Sequence, residues 1–223
     1  MRMGADIPKQ YMELLGKPVL VHTAEQFQRC GLVEHIAVVA AKEWEESIWA
    51  WKERFGLSKL RTVAPAGENR QRSILSGLLA ARDLFESQGD GVIIQDAARP
   101  LTGDALIESL LEGLKEAPAV LPALPVTDTV YTSADGGRVD GLLDRSKLYA
   151  GQAPEAFSYK RYLELYLSAS AEELDNTSGS CQLPYQVGWD VKIIPGERDN
   201  IKVTYPEDIE LCEKILKERG WRA

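Results

Sequence analysis

The sequence predicts an α/β fold: a doubly wound, mostly parallel sheet covered by helices, with a β-hairpin arm. Three observations predict it. Up to Pro125, short apolar runs alternate with amphipathic stretches, the pattern of strands joined by covering helices. One run, GVII at 91–94, ends abruptly in QDAARP at 95–100. A buried parallel strand reads as such a run, and ligands of open α/β sheets sit just beyond the carboxyl ends of strands. After Val126 the pattern turns polar, with Asp135-Gly136-Gly137 between two β-prone flanks, 129–131 and 138–140. That is a hairpin signal.

The elements follow in order. Residues 18–30 predict a helix with Pro18 near its first turn. Residues 34–40 (EHIAVVA) predict a strand, and 43–55 a helix with Trp44, Ile48 and Trp51 or Phe55 near one face. A short strand at 60–64 precedes a helix at 69–85, where Ile74, Leu75, Leu78 and Leu79 recur at helical spacing. The 91–95 strand leads to a helix at 103–115 and a strand at 119–124. Helices at 159–169 and 206–219 and a strand at 190–194 complete the set. Crossovers are expected to be right-handed. The whole chain, 1–223, reads as one domain with an arm at about 127–145. An isolated hairpin is marginal in water, so the arm is expected to pack on a second subunit.

Composition narrows the function. A formal net charge of −8 argues against general nucleic-acid binding. No apolar run approaches ~20 residues, so no membrane span is expected. The first residues carry no apolar stretch, so no signal peptide is expected and the cytoplasm is the expected compartment. Cys30, Cys181 and Cys212 form no C-x-x-C pair, which supports neither a zinc site nor a disulfide framework. His22 and His35 flank apolar segments and read as structural. Serine-hydrolase and histidine–zinc chemistry both lose support.

Chemistry concentrates in five segments. Asp96 stands at a strand end where a carboxylate can hold a metal; Ala97 and Ala98 leave room for a flat ligand, and Arg99 adds a fixed cation. An acid there also caps a following helix, and the residue alone leaves both readings open. Lys9 sits between Pro8 and Gln10, so its backbone is restrained. The loop 66–73 (AGENRQRS) opens a helix, whose free N–H groups favour anions or base edges. Arg145 lies at the end of the hairpin, and Lys202 in a strand-like segment before a helix started by Pro206. Arg2, Lys9, Arg145 and Lys202 plus one metal-binding acid suit the joining of two anions. A phosphate attacking a nucleoside triphosphate must approach another negative group, and cations with a divalent metal offset that repulsion. No nucleophilic side chain is needed, because phosphoryl transfer is mostly positioning and electrostatics.

The motifs occur in one order: R-M-x-x-x-x-P-K-Q (2–10), G-E-N-R-x-x-S (67–73), D-A-A-R-P (96–100), P-V-x-D-T (125–129), D-R-x-x-L-Y (144–149) and N-I-K-V-T-x-P-E-D (200–208). In this the chain resembles 2-C-methyl-D-erythritol 4-phosphate cytidylyltransferases and their relatives, the ribitol-5-phosphate cytidylyltransferases. The resemblance implies a nucleotide-diphospho-sugar transferase-like Rossmann fold, an arm-exchanged homodimer, CTP and a polyol phosphate as substrates, and Mg²⁺. It implies that Arg2 and Lys9 stabilise the transition state at the α-phosphate and that Asp96 holds magnesium. Gly67, Glu68, Ser73, Ala97 and Arg99 fall in the implied nucleotide site. Arg145 and Lys202 would position the acceptor phosphate, and Asp128 would touch the polyol from the neighbouring subunit. CMP would pass to methylerythritol phosphate with release of pyrophosphate, as in isoprenoid precursor synthesis.

Several segments depart from the pattern. The families carry a strand and an Ala-Ala-Gly-x-Gly-x-Arg-Met loop, of which this sequence holds only the last residues, Met1-Arg2-Met3. A misassigned start, a truncation or a degraded relative are the three expectations. Gln152-Ala153-Pro154-Glu155 stands where the families usually have Gln-Thr-Pro-Gln, and Glu68 where they often have Asp. The stretch 174–181 replaces a Thr-Asp-Asp/Glu-Ala-like segment, in which Asp175 fits the acid. Asp96-Ala97-Ala98 points to methylerythritol phosphate, whereas 148–154 and 165–173 are more similar to the ribitol enzymes. The rivals are a ribitol-5-phosphate cytidylyltransferase, a non-catalytic nucleotide-binding relative, and a nucleotidyltransferase for another base.

Overall fold

The computed structural model describes residues 7–84 and 91–220. A 3-10 turn (Lys9–Tyr11) leads into a small antiparallel ribbon, β1 (Glu13–Leu14) against β2 (Lys17–Pro18). Then come α1 (Val19–Arg29), β3 (Ile36–Ala40), α2 (Glu45–Phe55), β4 (Leu60–Pro65) and α3 (Arg70–Ala80). β5 (Gly91–Ile94), α4 (Asp104–Gly113) and β6 (Ala119–Pro125) follow. The arm carries β7 (Tyr131–Thr132) and β8 (Gly141–Leu142). The remainder is β9 (Tyr149–Gly151), β10 (Glu155–Ser158), α5 (Tyr159–Ser168), α6 (Ala171–Asn176), α7 (Gln182–Gln186), β11 (Val191–Pro195) and α8 (Pro206–Glu218).

Local chemistry sets the boundaries. α2 stops at Gly56, whose φ of +67° is the left-handed conformation that glycine adopts without a Cβ clash. α3 starts where the Asn69 side chain accepts the Arg72 N–H at 2.9 Å. It ends at Ala80 and passes into a 3-10 turn, Arg82–Leu84, so it is shorter than the expected 69–85 helix, whose last residue lies outside the described residues. α8 begins on Pro206, and the Asp208 carboxylate accepts the N–H groups of Thr204 and Tyr205 at 2.7 and 2.8 Å.

The main sheet runs β11-β6-β10-β5, with β9 also on β6. β11 is parallel to β6, whereas β10 is antiparallel to both β6 and β5. β3 and β4 form a separate parallel pair. The α/β architecture is the expected one, with antiparallel β9 and β10 added to the parallel pairs. β10 escaped sequence reading because four residues buried almost throughout show no alternation, and a glutamate opens the run. β9 and β10 lie along the same edge of β6, one at its end and one at its start. Between them Gln152 still donates its N–H to the Pro122 carbonyl of β6 at 2.8 Å.

The sheet is covered on both faces, because successive side chains of a strand point to opposite sides. Val120, Ala156 and Ile194 pack under Leu106 and Leu110 of α4. Ala119 and Phe157 face the other way, into Leu78 of α3 and Tyr162 and Leu163 of α5. Phe157 stacks on Tyr162 with ring centroids 3.8 Å apart. Burying a side chain of this kind contributes about 1.5–3 kcal/mol. A second cluster joins Leu20 and Ala24 of α1 to Val38, Ala40, Ile48 and Leu60.

His22 is buried, with Nε2 2.6 Å from the Leu14 carbonyl oxygen, which is a structural role. All three cysteines are buried and unpaired with one another. Among the described residues, no helix is long and apolar enough to cross a membrane. The arm forms the expected hairpin with its strands a few residues from the expected flanks, pairing Tyr131 with Leu142. The Asp135 carboxylate accepts the Gly137 N–H at 2.7 Å and closes the tip.

Candidate functional site

Asp96 follows β5 directly and lies at its carboxyl end. Three cations converge on it. Lys202 Nζ is 2.9 Å and Arg99 Nε 3.3 Å from Oδ2, and Arg70 Nη2 is 3.5 Å from Oδ1. Burial pushes the Asp96 pKa up, but Lys202, Arg70 and Arg99 outweigh it, and the carboxyl stays below its ordinary value. The carboxylate is therefore ionised, and the cations around it keep the cleft receptive to anions.

Distant elements hold this loop in place. Thr23 of α1 donates to the Ala97 carbonyl at 2.9 Å, and Gln26 to that of Pro100 at 3.1 Å. The Val203 N–H donates to the Ala98 carbonyl at 2.8 Å, which fixes the Lys202 segment alongside. Asn200 is a buried hub. Its side chain donates to the Ala153 carbonyl at 2.7 Å and accepts from the Thr102 hydroxyl at 3.2 Å, and its own carbonyl accepts from Arg99 at 2.6 Å.

A cleft of about 360 Å³ opens beside this cluster. Asp96, Arg99, Arg70, Lys202, Ala153 and Glu155 are among its lining residues. Glu155 is the second carboxylate of the wall. It accepts the Cys181 N–H at 3.2 Å and lies 3.7 Å from Arg70. Burial, together with the Glu155 charge, pushes the Cys181 thiol far up, so Cys181 is no nucleophile.

The 66–73 loop has the compactness a close ligand approach requires. Gly67 donates its N–H to Ser73 Oγ at 3.0 Å, and that hydroxyl donates to the Asn69 carbonyl at 2.9 Å. A Cβ on Gly67 would stand 2.6 Å from the Arg72 carbonyl carbon, so only glycine fits. Glu68 is 88% exposed in its side chain and lies 3.7 Å from Arg72. Asp175 bonds Arg72 at 3.2 Å and Asn69 at 2.7 Å, so it steadies this loop from α6 and does not line the cleft.

Homology identifies the family. The family described as "IspD: 2-C-methyl-D-erythritol 4-phosphate cytidylyltransferase" matches residues 1–218. The chain belongs to the IspD family. It is 41% identical to a 2-C-methyl-D-erythritol 4-phosphate cytidylyltransferase of Rubrobacter xylanophilus, over 99% of this chain and 92% of that protein. It is 29% identical to a ribitol-5-phosphate cytidylyltransferase of Streptococcus agalactiae, over 95% of this chain and 88% of that one. A solved 4-diphosphocytidyl-2C-methyl-D-erythritol synthase from Anaerococcus prevotii superposes with a TM-score of 0.80 at 27% identity, covering 97% of this chain and 93% of that one. This member of the IspD family is an enzyme, a nucleotidyltransferase.

Of the residues singled out from the sequence, the fold brings Asp96, Arg99 and Lys202 into contact. Gly67 and Ser73 form one tight loop, and Ala97 sits in the Asp96 turn. Lys9 opens the first 3-10 turn, after Pro8. Arg2 lies outside the described residues. Arg145 and Asp128 are not in the cleft of this chain. Both are exposed on the arm, where Arg145 donates to the Thr127 carbonyl at 2.8 Å. Sequence reading missed Asn200 and Arg70 although both stand inside quoted motifs, and it missed Ser180 and Glu155, which only a departure from the pattern marked.

Proposed function

We propose that the Asp96 cleft transfers CMP from CTP to 2-C-methyl-D-erythritol 4-phosphate, releasing pyrophosphate. The observation that carries this reading is the convergence of Lys202, Arg99 and Arg70 on one ionised carboxylate at a strand end. The acceptor's phosphate oxygen attacks the α-phosphorus in line, and the bond to the β-phosphate breaks. Negative charge grows on both sides, and fixed cations stabilise it more than they stabilise the separate substrates. Lys9 and Arg2 serve the α-phosphate, and Lys202 with Arg145 holds the acceptor phosphate. Gly67, Glu68, Ser73, Ala97 and Arg99 form the nucleotide side.

Magnesium fits this donor set. Among the described residues no group of three metal-binding side chains exists, and Mg²⁺ is commonly held by one or two carboxylates plus substrate phosphates. Asp96 would hold it, and the ion would neutralise triphosphate charge. The exposed apolar residues of the arm, Tyr131 (59%) and Leu142 (65%), support pairing with a second copy. In such a homodimer Arg145 and Asp128 serve the neighbouring cleft. The reaction is placed in the cytoplasm, with no nucleic-acid or membrane partner.

Pyrophosphate release with CTP and Mg²⁺, with methylerythritol phosphate and ribitol 5-phosphate in competition, tests the reading. Turnover with the first supports it. Preference for ribitol 5-phosphate would move the enzyme to the second acceptor, a reading motivated by the 29% identical ribitol relatives. CTP binding without pyrophosphate release would make it a nucleotide-binding relative.

A further inference from the structure

Arg70 stands between two carboxylates. One nitrogen, Nη2, lies 3.5 Å from Asp96 Oδ1 and 3.7 Å from Glu155 Oε2. The other, Nη1, donates to Ser180 Oγ at 2.8 Å. Both carboxylate distances exceed the 2.7–2.9 Å of a strong charge-assisted bond. The guanidinium is thus held short of either partner. Its anchor is Ser180, which is fully buried and whose carbonyl accepts from the Tyr162 hydroxyl at 3.1 Å.

The two oxygens of Asp96 are unequally occupied. Oδ2 takes Lys202 at 2.9 Å and Arg99 at 3.3 Å, and Oδ1 meets Arg70 at the longer 3.5 Å. Glu155 supplies the opposing pull. Its side chain is 9% exposed, and its other oxygen is fixed by the Cys181 N–H. A carboxylate so enclosed is weakly screened, so it acts strongly on a cation a few ångströms away. Without its charge, Nη2 has one anionic neighbour left and closes on Oδ1.

We propose that Glu155 is a positioning residue: it draws the Arg70 guanidinium off Asp96 and keeps Oδ1 open for a divalent cation. The proposal rests on the reading of Asp96 as the metal ligand.

The test is Mn²⁺ binding to the full chain in complex with CTP and without acceptor, read by water-proton relaxation. Glu155→Gln keeps an acceptor for the Cys181 N–H and removes only the charge. It should weaken Mn²⁺ binding about tenfold, the scale of coupling between contacting groups. In an Arg70→Met background the same substitution should change nothing, because the competitor is gone. Ser180→Asp added to Glu155→Gln returns a carboxylate to Arg70 and should restore most of the affinity. An unchanged Mn²⁺ affinity in Glu155→Gln, with binding lost in Asp96→Asn, overturns the role of Glu155 and leaves that of Asp96. Unchanged binding in Asp96→Asn overturns both. An equal loss in the Arg70→Met background reduces Glu155 to general electrostatics and also overturns the proposal. Arg70→Met alone should bind Mn²⁺ at least as tightly as the parent, which keeps the test open if Glu155→Gln fails to fold.

Discussion

In the Asp96 cleft, charged groups are held by partners far away in the chain. Lys202 reaches Asp96, Arg99 the Asn200 carbonyl, and Arg70 the Ser180 hydroxyl. In the arm, polar groups are held by their own neighbours. Asp135 takes N–H groups from Gly137 and Arg138, and Asp144 takes Ser146. The cleft depends on the whole fold for its geometry, whereas the arm's hairpin is a product of local turn chemistry. The cleft gathers its charges inward around Asp96, while the arm leaves apolar side chains exposed. On the proposed function, the first region receives the substrate phosphates and the second pairs with another copy of the chain.

The sharpest break of this contrast is at the chemistry. Lys9→Ala and Asp96→Asn should each lower kcat by about 10²–10³-fold, the scale of losing one electrostatic stabiliser. Circular dichroism should show the fold intact. Near-normal turnover of Lys9→Ala would remove its role at the α-phosphate. Asn200→Ala comes next. It strands the Ala153 carbonyl and the Thr102 hydroxyl, so chemical denaturation should show a loss of about 2 kcal/mol, and activity should fall as Arg99 and residues 152–154 loosen. A loss confined to activity would mean that the hub serves catalysis alone.

On the arm, Tyr131→Asp with Leu142→Asp should halve the mass seen by sedimentation and cut turnover, with little change in the thermal midpoint of the separated chains. An unchanged mass would overturn the arm-mediated dimer. The Asn69 cap is a smaller effect: Asn69→Ala should cost about 1 kcal/mol and raise KM for CTP more than it lowers kcat, because it frees the 66–73 loop. The smallest effect concerns pH. Burial holds the His22 pKa below its ordinary 6.5, with the Leu14 contact opposing. The unfolded chain then binds the proton more readily, so His22 leaves stability intact above pH 6.5 and erodes it as pH falls below that value. His22→Gln should flatten that acid-side slope in urea titrations, and an unchanged slope would assign it to other groups.

Much of this was written in the chain in readable form. Pro206 and Asp208 start α8, Gly56 stops α2, and the Asp135-Gly136-Gly137 turn closes the hairpin, each within a few residues of its cause. Asp96, Arg99 and Lys202 were visible as motif residues. Their mutual contact was not, because Lys202 lies more than a hundred residues beyond Asp96 and no local rule spans that separation. β10 was hidden for a related reason. It pairs on both edges and is buried almost throughout, so its short run carries neither alternation nor amphipathic period.

The residues alone settle the strand–helix alternation up to β6, the hairpin signal, the family and the presence of an acid-and-cation set. Packing settles which cation meets which oxygen. Arg70 was one arginine among several in a polar loop until α3, β10 and the 178–182 segment closed around it. Strands and turns follow from preferences of a few adjacent residues. A three-cation, two-carboxylate wall follows from burial, which raises the cost of any unpaired charge and so fixes where each partner stands.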